Sequence, residues 1–173
     1  AASDVYKRQM LDIDVTWLTV PDDEPQWNAW RSKLSLNLYK KYDIHIKEAA
    51  VETDQFDGEY DIIFMSQVME HFIFNPVGTI RKLMTHLKED GVMFISVPDI
   101  IYNNPKNVES YKEIPFYEDL SVREAVRRTM INSFTHYHEY SYEEALEVFD
   151  ECGLQCVDSH TNLPIHHFIL KRK

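Results

Sequence analysis

Tyr60-Asp61-Ile62-Ile63-Phe64-Met65-Ser66 (YDIIFMS) is a short run of β-formers that is apolar at nearly every position. A strand with one wet face alternates apolar and polar residues. A run without alternation indicates a strand buried on both faces of a parallel sheet. Asp57-Gly58 punctuates the chain before it, and Gln67-Val68-Met69-Glu70-His71 follows its carboxyl end. Downstream, Asn75-Pro76 has the form of a helix start, with Asn as N-cap and Pro at the first helical position. Val77, Ile80, Leu83, Met84 and Leu87 keep helical spacing, and Gly91 is expected to close that helix as its C′ residue. Residues 92–97 (VMFISV) form a second apolar strand, ended by Pro98-Asp99.

Upstream, residues 44–51 (IHIKEAAV) alternate Ile44 and Ile46 with His45 and Lys47, which predicts a strand with one wetter face. Residues 26–42 carry Trp27, Trp30, Leu34 and Leu38 along one helical stripe, after an acidic turn at 21–25. The Trp pair is read as core packing. Residues 12–20 (DIDVTWLTV) are β-rich and stop at Pro21. In the other direction, residues 100–134 contain Asn103-Asn104-Pro105 and Pro115, and form an expected long insert with one embedded helix. Ser141 with Glu144 three residues on is a capping box, and Gly153 ends that helix. Residues 154–157 and 165–170 complete the strands, with 161–164 as a turn that makes them antiparallel.

Strands alternating with helices predict an α/β fold: a Rossmann-like, mostly parallel sheet with helices on both faces and the last strand antiparallel. Residues 1–9 are set aside as a leader, and 10–173 are taken as one domain with a lid at about 100–134. Ligands of such sheets bind beyond the carboxyl ends of the strands. That rule nominates residues 21–24, 50–52, 66–71 and 98–101.

Composition narrows the function. Of 173 residues, 44% are hydrophobic and 13% aromatic, which excludes a disordered chain. The net charge of −11 disfavours nucleic acid and anionic membranes as partners. No apolar run suits a membrane helix, and no basic stretch followed by an apolar one reads as a secretory signal, so a soluble, cytoplasmic protein is expected. Cys152 and Cys156 are too few for a disulfide framework. The four glycines (58, 78, 91 and 153) are isolated, so no GxGxxG or GxxxxGK[ST] phosphate cradle can be written, which counts against a dinucleotide-dependent reductase.

The stretch YDIIFMSQVMEH (60–71) resembles the fourth-strand motif of class I S-adenosylmethionine-dependent methyltransferases, in which an aromatic-Asp pair opens the strand and a Glu-His pair follows it. Residues 83–98 (LMTHLKEDGVMFISVP) are similar to that family's helix, Gly-containing turn and fifth strand, and residues 138–154 (HEYSYEEALEVFDECGL) to its late helix. The resemblance covers 12–173. It implies a further first strand and glycine-rich loop before residue 12, where this sequence has only the short leader, so the chain looks like an N-terminally truncated methyltransferase.

The resemblance also assigns expected roles. Asp22 or Asp23 would take the ribose hydroxyls, Val51 and Glu52 the adenine, and Ser66 and Gln67 the methyl-donor end of S-adenosylmethionine. Glu70 and His71 would lie at the reactive end. A neutral imidazole can take a proton near neutral pH, so His71 is the expected base. Tyr102, His136 and His138 are expected to face the acceptor, with Tyr111, Phe116 and Tyr117 as further aromatic lining of the lid.

A subgroup that methylates RNA ribose holds a divalent metal through Glu-x-x-Glu-His and a distant His. Gln67 stands at the first Glu position here, and no metal is assigned. The expected function is methyl transfer to a small-molecule or glycan-linked acceptor. The alternatives are a non-catalytic, methyltransferase-like binding module and a metal-dependent RNA ribose methyltransferase.

Overall fold

A computed structural model describes residues 14–19, 37, 39–99, 110–119 and 136–173. The acidic turn at 21–25, most of the expected helix at 26–42, Asp22, Asp23, Tyr102 and the helix embedded in the insert lie outside the described residues. The chain forms two compact units, residues 1–56 and 57–173.

In the first unit, β1 (Thr16–Thr19) and β2 (His45–Glu48) pair in parallel, Thr16 opposite His45 and Thr19 opposite Glu48. Residues 37 and 39–41 are helical. The chain leaves that helix through Asp43, whose φ of +52° is a left-handed turn, and the Ile44 N–H donates to the Tyr39 carbonyl at 2.9 Å. Tyr39, Ile44 and Ala49 are its buried apolar residues among those described. After β2 the chain turns at 51–53, where the Asp54 carboxylate accepts the Ala50 N–H at 2.9 Å.

The second unit carries four strands, β3 (Tyr60–Ser66), β4 (Leu87–Pro98), β5 (Leu154–Asn162) and β6 (Ile165–Arg172), in the order β3-β4-β6-β5. β3 and β4 are parallel, and β6 is antiparallel to both β4 and β5, so the last strand alone runs against the others. Its two helices are α1 (Pro76–Thr85) and α2 (Tyr142–Glu151). One sheet face is built from Met93, Ile95 and Val97 of β4 with Phe168 and Leu170 of β6, all fully buried. Phe149 of α2 meets Phe168 edge-on at 5.1 Å, and Val77 and Ile80 of α1 are fully buried. The Cys152 thiol, buried and pushed up to about 12 chiefly by desolvation, donates to the Val77 carbonyl and joins the two helices.

Three expectations change. β3 is an outer strand of this sheet and pairs with β4 alone among the described strands. Ile62 and Phe64 are 63% and 50% exposed, so β3 is not buried on both faces. Both described helices pack on one face of the sheet, so helices on both faces are not seen among the described residues. The helix before β4 also ends earlier than its apolar spacing suggests. It stops at Thr85, Leu87 is already paired with Tyr60, and Gly91 lies inside β4 rather than at a helix end. The physical reason is register: two steps on β3, from Tyr60 to Ile62, match five on β4, from Leu87 to Val92, so the chain loops out between them. A Cβ at Gly91 would stand 2.9 Å from the Lys88 carbonyl oxygen, which is why glycine is required inside that loop.

The helix starts follow the sequence closely. Asn75 accepts the Val77 N–H at 3.0 Å with Pro76 at the first helical position. Its amide group also donates to the carbonyls of Tyr111 at 3.0 Å and Ile114 at 3.1 Å, so one buried side chain caps α1 and anchors the insert. Arg172 closes the other end of α1, donating to the carbonyls of Met84 and Leu87. Gly153, at φ +83°, ends α2 in the left-handed conformation.

Asn75→Ala removes the cap and leaves two inward-facing carbonyls without their donor. We expect urea unfolding to show a loss of about 2–4 kcal/mol, with Asn75→Asp, which keeps only the acceptor, in between. A loss below about 0.5 kcal/mol would refute the anchoring role.

Candidate active site

At the carboxyl end of β3, Ser66 and Ser96 of β4 stand opposite each other and their hydroxyls lie 2.9 Å apart. Gln67 then turns the chain sharply off the strand with φ +55°. The Gln67 N–H donates to the Ser96 carbonyl at 3.0 Å, and its side-chain amide reaches the Ser96 hydroxyl at 3.4 Å. Ser66 is exposed and small, so the strand end is open. A single helical turn follows at Met69–His71, and it buries Glu70 while leaving His71 partly accessible.

A second segment meets this turn. The Tyr137 N–H donates to the Glu70 carbonyl at 2.8 Å, and the His138 N–H shares the same oxygen at 3.4 Å. Tyr140 bridges to Asp99, just past the end of β4, and Asp99 contacts the buried His166 at 2.7 Å. Residues 136–140 are thereby held over the carboxyl ends of β3 and β4. His136 comes edge-on to His71, with ring centroids 4.9 Å apart. The Glu139 carboxylate, itself buried, lies 3.0 Å from His136 Nδ1.

The electrostatics of Glu70 are unusual for a carboxylate. It is 1% exposed, and its Oε2 has no hydrogen-bond partner among the described residues. Burial raises its pKa to about 7, its own backbone N–H opposes that rise, and the nearby Glu139 adds to it. Among the described residues, Glu70, His71 and His136 each present a potential ligand atom, all within 4.8 Å of one another.

His138 goes elsewhere. It is 2% exposed, its Nε2 lies 3.0 Å from Glu144 Oε1, and its ring packs edge-on against Tyr140. It therefore serves the start of α2 rather than an open acceptor surface. Burial alone would raise the Glu144 carboxyl, but His138 and the backbone N–H groups of Tyr111 and Ser141 hold it below the ordinary value. Ser141 accepts the Glu144 N–H at 3.1 Å, completing the predicted capping box. Tyr111 is also no part of an open aromatic wall: it is 2% exposed, and its hydroxyl donates to Glu151 at 2.9 Å. Burial and that carboxylate push the Tyr111 phenol well above its usual range. Tyr117, 37% exposed, packs edge-on against Phe74.

The sequence motif of the methyltransferase domain family matches residues 10–159. The chain belongs to that family. None of the curated proteins matches it in sequence. Among solved structures, the O-methyltransferase NcsB1 of neocarzinostatin biosynthesis, in complex with S-adenosylmethionine and 2-hydroxy-5-methyl naphthoic acid, superimposes with a TM-score of 0.63 at 13% identity, covering 99% of this chain and 45% of that one. PigF with S-adenosylhomocysteine gives 0.61 at 18% identity, covering 99% and 47%. An O-methyltransferase family 2 protein from Planctomyces limnophilus, complexed with apigenin, gives 0.61 at 16%, covering 98% and 47%. These likenesses establish the methyltransferase fold, and the chain spans less than half the length of each.

Of the residues read from sequence, Ser66, Gln67, Glu70, His71 and His136 gather at one strand end. Val51 and Glu52 lie in the turn after β2, in the other unit. Glu139 and Ser96 were missed. Both carried a signal: Ser96 is the lone polar residue of an apolar strand, and Glu139 stands three residues after His136. No described helix is long and apolar enough to cross a membrane.

Glu144→Gln tests the buried network. Because its folded pKa is lowered, the carboxylate contributes stability above the unfolded value of 4.5, and this is lost as the pH falls through the folded value. We expect a deficit of about 1–3 kcal/mol at pH 7 that narrows in acid, measured by urea unfolding at both pH values. A deficit independent of pH would show that charge is not its source.

Proposed function

We propose that this domain transfers a methyl group from S-adenosylmethionine to an oxygen of a small-molecule or glycan-linked acceptor. The observation that carries the reading is the meeting of Glu70, His71 and His136 beyond the open carboxyl end of β3, the place where α/β sheets bind ligands. Ser66 and Gln67 would line the methyl-donor end. Their fit rests on the small exposed side chain of Ser66 and the left-handed turn at Gln67. Asp22 or Asp23 would take the ribose, and Val51 and Glu52 the adenine. The cofactor supplies an activated methyl on sulfur. The protein has to align the acceptor oxygen and deal with its proton.

His71 is the group assigned to that proton, since it is partly accessible next to the buried Glu70. Tyr102 and His136 would face the acceptor. The named neighbours support an acceptor of this kind, since their complexes hold a naphthoic acid and apigenin. The net charge of −11 argues against free nucleic acid.

Titration of the chain with S-adenosylhomocysteine should release saturable heat. At a hundred times Kd it should stabilise the fold by about 2.7 kcal/mol, raising the melting temperature by several degrees. Flat calorimetry with an unmoved melting point would favour the non-catalytic binding-module reading. With a panel of small phenolic and hydroxylated acceptors, His71→Ala should lower turnover by about 10²–10⁴-fold while cofactor affinity stays within about twofold. Equal losses in both would make His71 structural.

A further inference from the structure

We propose that Thr161, His166 and Asp99 form a second, hydrolytic site in this domain, in which the Thr161 hydroxyl takes an acyl group from an activated carboxylic ester. The three residues make one line of contacts. Thr161 of β5 and His166 of β6 stand opposite each other in the antiparallel pair, so their side chains share a sheet face. The Thr161 hydroxyl lies 2.9 Å from His166 Nδ1. On the other side of the ring, Asp99 Oδ2 lies 2.7 Å from His166 Nε2. A hydroxyl, an imidazole and a carboxylate in that order are the parts of a nucleophile activated by an oriented base. None of the three belongs to the cluster of Glu70, His71 and His136.

The partners decide where the protons stand. A carboxylate beside Nε2 favours the proton on that nitrogen, and it leaves the Nδ1 lone pair to accept from the Thr161 hydroxyl. The Asp99 contact is short but lies off the Nε2–H line. Catalytic contacts of this kind tighten as the reaction complex forms. Exposure separates the roles. Asp99 and His166 are 6% and 4% exposed, so the base and its carboxylate are shielded from water, whereas Thr161 is exposed and open to a substrate. An exposed hydroxyl has water to bond with, so its own satisfaction does not require a buried imidazole and carboxylate beside it. The carboxylate is also fixed in position. The Asp99 N–H donates to the Pro164 carbonyl at 2.8 Å, which ties the end of β4 to the hairpin that carries Thr161 and His166.

Donors for the developing charge stand beside this line. Ser159 is two residues before Thr161 on the same strand face, and its hydroxyl lies 2.8 Å from the Tyr142 hydroxyl. The Tyr142 ring packs edge-on against His166, with centroids 5.5 Å apart. Either hydroxyl can turn its hydrogen toward an oxyanion. The reaction balances with water alone. Thr161 Oγ bonds to the ester carbonyl carbon while its proton passes to His166 Nδ1. The bond from that carbon to the leaving oxygen breaks, and the departing alcohol takes the proton. Water, deprotonated at the same Nδ1, then cleaves the Thr161 ester, which frees the acid and restores the hydroxyl.

The assay contains no S-adenosylmethionine, so its outcome is separate from that of methyl transfer. The full chain is mixed with p-nitrophenyl acetate, p-nitrophenolate release is followed by stopped flow, and acid-quenched protein is mapped by mass spectrometry. Nitrophenolate leaves a carbonyl more readily than a threonine alkoxide does, so acylation should outrun deacylation. We expect a burst of one equivalent, with one acetyl group on Thr161. Thr161→Val should remove the burst and slow acylation by ~10²–10⁴-fold, whereas Thr161→Ser should keep it. Asp99→Asn, which keeps the shape and removes the charge, should slow acylation by at least ~10²-fold. Should Asp99→Asn fail to fold, the exposed Thr161→Val carries the result, with circular dichroism as the check on folding. His160→Ala, at the exposed histidine next to Thr161, should give the wild-type burst, which separates the site from simple imidazole catalysis. No burst from the wild type, acetyl groups on lysine or histidine alone, or a burst that survives Thr161→Val unchanged would overturn the site.

Discussion

One carbonyl oxygen organises the carboxyl ends of the strands in this domain. The Glu70 main-chain oxygen accepts the N–H groups of Tyr137 and His138, and so ties residues 136–140 to the turn that follows β3. Buried backbone groups have to be paired, and here the pairing replaces a strand ladder that neither segment forms. Several other contacts depend on it. Tyr140 can reach Asp99 only with this segment in place, and Asp99 in turn touches His166 of β6 at 2.7 Å. The ends of β3, β4 and β6 are linked through side chains and loops rather than through the sheet alone. Loosening that carbonyl would carry His136, together with its partner Glu139, away from His71 and Glu70.

The parts of the fold legible in the sequence are those decided locally. Asn75-Pro76, Ser141 with Glu144, and Gly153 mark helix ends through bonds made within three or four residues, and each stands where the pattern put it. The end of α1 was not legible. Leu87 fits the helical stripe, and only the pairing of Tyr60 with Leu87, a long-range event, claims it for β4. Gly91 was misassigned for the same reason, since its need arises from a close carbonyl rather than from a helix cap. The apolar run of β3 promised burial on both faces, but pattern reports the capacity for burial and cannot report which neighbours are present.

At the site, Glu70 and His71 were nominated by the rule that α/β sheets bind ligands beyond strand ends and by the resemblance of residues 60–71 to a methyltransferase motif. The His-x-His pair was only half legible. Sequence gave no means of separating His136 from His138, because their difference lies in the acids that face them. Glu139 turns one toward the strand end, and Glu144 draws the other into the helix start. Tyr111 was misread because its partner Glu151 lies forty residues on, at the far end of α2.

The distribution of acid in this region sets what the site can bind. Glu70 and Asp99 are buried just past the ends of β3 and β4, Glu139 is buried in the loop before α2, and each stands near an imidazole. Asp99 and Glu139 have histidine contacts at hydrogen-bond distance, whereas Glu70 keeps one oxygen bare. Desolvating a carboxylate costs several kcal/mol unless something compensates, so a fold that retains such a group invests in it for use. A proton compensates at the expense of the charge, and burial, which raises the Glu70 pKa to about 7, brings that proton within reach near neutral pH.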